Sequence, residues 1–150
     1  MPENIALGKV ESTLKDLFEI LRDGQHGFKE LGHRLQDAEA KRIFLEETQR
    51  RAEYAAELEN ELHRMGVHDV NVSPSRGGKV RLLWGEVQAS MAGGQKALLS
   101  TALRGDEIAG KAYADALKED LPLPLREMLD RQLAHIERRK DKIKALHDLG

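Results

Sequence analysis

The chain has 150 residues, 24 Lys and Arg against 26 Asp and Glu for a formal charge of -2, and no cysteine. That length suits one domain, residues 1–150, with a core of its own, and the missing cysteines exclude disulfides, thiolate metal ligands and a cysteine nucleophile. The balanced charge excludes a global basic field that would recruit nucleic acid, no apolar run nears the ~20 residues that span a bilayer, and Met1-Pro2-Glu3-Asn4 lacks the basic and apolar regions of a signal peptide, so no membrane partner and a cytoplasmic location are expected.

Charged residues at 33% with aromatics at only 4% fit long helices better than a sheet. Val10, Leu14, Leu17, Leu21, Gly24, Phe28, Leu31 and Leu35 alternate steps of four and three. This is one apolar helix face, widened by Phe18 and Ile20. A first helix is predicted over about Asn4 to Leu35, with Gly24, Gly27 and Gly32 letting a neighbour approach closely. Asp37 is the predicted N-cap of a second helix running to Met65 and stopped by Gly66. Its seam is Phe44, Thr48, Ala52, Ala55, Leu58, Leu62 and Met65, with Leu45 beside it and Arg51 at the margin.

After a linker, Ser73-Pro74 reads as the start of a short crossover helix carrying Val80, Leu83, Trp84, Val87 and Met91, closed by Gly93-Gly94. A third main helix follows from about Gln95 to Glu119, with Leu98, Ala102, Ala109, Tyr113 and Ala116 inward. Leu121-Pro122-Leu123-Pro124 is a rigid turn. A fourth main helix covers about Leu125 to Leu149, with Leu129, Gln132, Ile136, Ile143 and Leu146 inward. Short first and last connections make two antiparallel hairpins. The middle connection, whose helix of about 19 residues covers ~28 Å, is long enough to return along a bundle. The expectation is an all-α four-helix bundle with one long crossover.

The segments "LRDGQHGF", "FLEETQRRAEYAAELENELHRMG", "RGDEIAGKAYADALKEDLP" and "LDRQLAHIERRKDKIKAL" carry a resemblance to the ferritin-like superfamily. More narrowly, the chain resembles a bacterial ferritin-like family of unknown function. The resemblance implies paired helical hairpins and a stress-associated setting, and no established activity. Metal-holding bundles of this architecture need a glutamate from each of two helices and Glu-x-x-His from each of the others. Laid on that pattern, the four helices offer Gln25, Thr48-x-x-Arg51, Asp106 with Glu107 adjacent, and Gln132-x-x-His135. Asp106 and His135 are the conventional ligands there, with Glu107, Glu53 and Glu47 as supplements. Arg51 would put a permanent positive charge where cations belong.

The expected alternative to a metal site is a polar layer of Gln25, Arg51, Asp106 and Gln132, with Arg51 paired to Asp106 and the two glutamines bonded across the core. Three functions compete. A non-enzymatic structural or interaction bundle with a degenerate site and no cofactor comes first. A di-metal oxidase or storage bundle holding iron, manganese or zinc is the second. The third is a small-ligand binder, against which tight packing of Phe28, Leu58, Tyr113 and Ile136 would count.

Other features read as structural. Asp23, His26, Glu30 and His33 lie opposite the apolar stripe, and His63 and His68 flank the end of the second helix. His147 complements the last helix's dipole. Gly77-Gly78-Lys79 lacks P-loop spacing, and the mixed charges of residues 137–142 read as a solvated face. Trp84 is the sole tryptophan. It reads first as a staple holding the crossover helix to the bundle, and second as an anchor for a homo-oligomer contact.

Overall fold

The computed structural model describes residues 2–68, 70 and 94–149, and those residues form four helices and no strand. They are α1 (Pro2–Arg34), α2 (Ala38–Arg64), α3 (Gly94–Leu117) and α4 (Leu123–Leu149). The predicted crossover helix, Trp84 and Gly77-Gly78-Lys79 lie outside the described residues. Among the described residues, no helix is long and apolar enough to cross a membrane.

Local chemistry sets the helix ends. Asp37 sits in extended backbone ahead of α2, and its carboxylate accepts the Ala40 backbone N–H at 2.9 Å. At the other end Gly66 takes φ +89°, while Val67 N–H reaches Leu62 O at 2.9 Å and Gly66 N–H reaches His63 O at 3.0 Å. This pair of bonds closes the helix around a left-handed residue, which glycine adopts without steric cost. Between α3 and α4, the Arg126 guanidinium donates to Leu117 O at 2.7 Å and Glu119 O at 2.6 Å. A cation thus covers the carbonyls that the last turn of α3 leaves open.

The topology follows from two contacts at opposite ends. Asp37 N–H, at the entry to α2, donates to Gln95 Oε1 at the start of α3, and Lys9 near the start of α1 pairs with Glu119 beyond the end of α3. Hence α1 runs antiparallel to α3, and α2 and α3 begin at the same end. The chain leaving α2 must therefore regain a full helix length, ~40 Å for an α-helix of this size. Helix α1 packs on α2 and α3, and α4 packs on α3. Gly32 brings α1 close to α2: a Cβ there would lie 3.1 Å from Leu45 Cδ2 and 3.3 Å from Phe44 Cβ. Helices α2 and α4 meet chiefly through long polar side chains.

Every seam position expected on α1 is buried, as are the five inward positions expected on α3. On α2 the seam is rotated from expectation. Thr48 and Ala52 are only half-buried and Leu45 is exposed, whereas Glu47, Arg51 and Tyr54 face inward with Ile43, Phe44, Ala55, Leu58 and Leu62. Arg51 is not marginal; its side chain is 1% exposed. Apolar periodicity passes over Glu47 and Arg51 because charge ordinarily signals solvent. Here each supplies the other's counter-charge. The apolar core accordingly forms two blocks, one containing Leu14, Leu58 and Leu129 and the other Phe28, Ile43 and Leu98, with polar groups between them.

Candidate functional site

The polar layer draws its side chains from α2, α3 and α4. On α2, Glu47 and Arg51 are one helical turn apart, so both project from the same face. Arg51 Nε donates to Glu47 Oε1 at 2.8 Å, and Arg51 Nη2 donates to Asp106 Oδ1 on α3 at 2.6 Å. Both acids and the guanidinium are at most 1% exposed. The guanidinium also lies over the Phe28 ring, 5.0 Å from its centre, within range of a cation–π attraction. Helix α1 contributes space here: a Cβ on Gly24 would stand 3.2 Å from Arg51 Nη1.

From α4, His135 Nε2 lies 2.9 Å from Glu47 Oε2, and its ring meets Tyr54 edge-on at 5.6 Å. Arg139 Nε approaches the same carboxylate oxygen at 3.7 Å. A neighbouring network runs from the Tyr113 hydroxyl, which donates to Gln132 Oε1 at 2.6 Å, through Gln132 Nε2, which donates to Glu57 Oε1 at 3.2 Å. Arg131 closes it by donating to Glu57 Oε2 at 2.9 Å.

The electrostatics are uneven. Burial works to raise the Glu47 carboxyl, but the hydrogen bond from His135 and the charge of Arg51 outweigh it and hold Glu47 below the usual carboxylate range. An ionised Glu47 can only accept, so the shared proton sits on His135 Nε2. Burial likewise opposes the charge on Arg51, and Asp106 and Glu47 together more than offset it. Asp106 differs. Burial pushes it from an ordinary 3.8 up to about 6, against the pull of Arg51. The same ion pair thus secures the cation and leaves one acid easy to protonate. The reason is that Arg51 faces two acids, whereas for Asp106 burial, with the like charge of Glu47 added to it, outweighs Arg51 and Lys140, and its buried Oδ2 has no hydrogen-bond partner among the described residues.

Of the residues singled out from sequence, Arg51, Asp106 and Gln132 are buried in this layer, and His135 reaches it through Glu47. Gln25 is half-buried, and its neighbour Gly24 is what meets Arg51. Gln132 bonds Tyr113 and Glu57. Glu107 and Glu53 are exposed, the latter paired with Arg50 at 3.3 Å. Sequence reasoning placed Glu47 only among supplementary acids and passed over Glu57 entirely. Their signal was the acidic row on α2 facing a basic row on α4. Among the described residues no group of three or more His, Asp and Glu is arranged to hold a metal ion. Phe28, Leu58, Tyr113 and Ile136 have no exposed surface.

A family model described as a domain of unknown function, DUF2383, matches residues 9–119. The chain belongs to the DUF2383 family. The match takes in α1 from Lys9 onward and all of α2 and α3, and with them the Glu47, Arg51 and Asp106 cluster of this DUF2383 member. No curated protein matches the chain.

The raised Asp106 of this DUF2383 bundle carries a pH signature. A carboxyl easier to protonate when folded contributes stability below its unfolded value, near 3.8, and loses it as pH rises through about 6. Glu47, held low, acts in the opposite sense and loses its contribution as pH falls. Comparison with Asp106→Asn isolates the first effect. Urea unfolding should show the stability of the wild-type chain falling relative to the variant between pH 4 and pH 7, by on the order of 2–3 kcal/mol. A difference that stays flat over that interval would show that Asp106 titrates normally.

Proposed function

We propose that this chain is a ferritin-like bundle that carries a guanidinium where related architectures carry metal, and that it serves as a metal-independent structural or interaction protein, with no enzymatic activity of its own, in the cytoplasm. The observation that carries this reading is Arg51, which bonds both Glu47 and Asp106 at the level between the two apolar blocks. A di-metal centre needs several carboxylates free to bridge two cations, completed by imidazoles. Here Glu47 is engaged by Arg51 and His135, and Asp106 offers a single unbonded oxygen. The remaining ligand positions hold Gln25, Thr48 and Gln132, which are neutral, and Thr48 bonds Phe44 O at 3.0 Å. An arginine cannot give up its charge to admit a metal ion. The donor set therefore fits an internal ion-pair cluster better than iron, manganese or zinc.

The test is elemental analysis of protein purified without chelator, beside Asp106→Ala and His135→Ala. The expected result is far less than one transition-metal ion per chain in all three, with a melting temperature indifferent to chelator. About two ions per wild-type chain, as two-metal sites hold, lost in both variants, would replace this reading with a di-metal oxidase or storage protein using Asp106, His135 and Glu47.

A further inference from the structure

Helix α4 is held to the bundle in two different ways along its length. Its first half contributes Leu125, Leu129 and Ile136 to one apolar block, with Met128 and Leu133 packed against it. Beyond Ile136, the other apolar block takes only Ile143 from α4, with Leu146 packed against it. The other three helices fill that block, through Phe28, Leu31, Ile43, Phe44 and Leu98 among others.

Polar contacts hold the second half instead. Arg139 pairs with Glu46 at 3.3 Å and Glu47 at 3.7 Å, Lys142 with Glu39 at 3.8 Å, and His147 Nε2 lies 2.9 Å from Ser100 Oγ. Lys142 and Glu39 are about half exposed, at 51% and 52%, so salt screens them effectively. Segments with few buried apolar contacts open at lower free energy than the core they rest on.

We propose that residues 137–149 form an electrostatically latched arm that releases from α2 and α3 as a unit while the rest of the bundle stays folded. The arm carries Arg139 away from Glu47, so its release opens the Glu47, Arg51 and Asp106 cluster to solvent ions. This holds whether or not the cluster ever binds metal.

Hydrogen exchange of the full chain, followed by mass spectrometry, tests it in about 0.01 M and about 1 M salt, where the screening length falls from ~30 Å to ~3 Å. Amides of residues 138–149 should exchange roughly tenfold faster in high salt and share one common protection factor, as a cooperative unit does. Those of residues 126–136 should change less than about twofold. Lys142→Gln in low salt should move the distal amides part of the way to the high-salt pattern, without changing residues 126–136. Three results overturn the proposal: equal protection along all of α4, a distal half indifferent to salt, or protection that merely declines toward Leu149 as in a fraying end.

Discussion

Replacing Arg51 with methionine should cost about 3–5 kcal/mol of unfolding free energy, read from urea denaturation at neutral pH. The substitution keeps much of the buried volume and removes the cation, leaving Glu47 and Asp106 in the core without the guanidinium that bonds both. Most of the loss is the expense of stranded charge, so it should shrink at pH 5, where the acids relieve it by taking up protons. It should also be largely recovered in Arg51→Met combined with Glu47→Leu and Asp106→Leu. Apolar residues of similar size commonly match a buried ion cluster in stability once every member is replaced. Arg51→Lys should recover only part of the loss, because an ammonium cannot span both acids as the guanidinium fork does. A single variant within about 1 kcal/mol of wild type, well under the cost of breaking a buried pair, would mean the cluster is open to water.

The second large effect is expected at Phe28→Ala, again about 3–5 kcal/mol by the same measurement. Phe28 has no exposed surface, meets Phe44 edge-on at 5.1 Å and 70°, and offers its face to Arg51. The truncation therefore leaves a cavity in the apolar block and takes away the surface on which the guanidinium lies. Phe28→Leu separates the two by keeping most of the volume while losing the aromatic face. A double-mutant cycle of Phe28→Leu with Arg51→Met should return a coupling on the order of 1 kcal/mol. A coupling of zero would reduce Phe28 to simple filling.

These two residues mark where sequence reasoning reached and where it stopped. Phe28 was legible: apart from Glu19, every buried position along α1 is apolar or glycine, so the stripe and its burial nearly coincide. On α2 the stripe failed, because two of its inward positions are Glu47 and Arg51. Reading charge as exposure turned the seam toward Thr48 and Ala52, both half-buried. A meeting of Arg51 with Asp106 could be reached only by laying the helices on a bundle template, which also proposed Gln25 for the place that Gly24 occupies beside the guanidinium. Nothing local indicated that His135 would find Glu47 from 88 residues away, or that Gln132 would bond Tyr113 and Glu57.

What the sequence determined by itself is the set of four rods and the way they end. Periodicity, an aspartate cap at Asp37 and a left-handed stop at Gly66 act within a few residues of chain, so they can be read without knowing any neighbour. What only the tertiary structure decided is which charges are buried and what each one meets. Burying a charge is tolerable only when partners accompany it, and beside Glu47 on its own helix Arg51 needs Asp106 from α3. Whether Arg51 points to water or holds two acids together is therefore settled by the packing of α2, α3 and α4 around it.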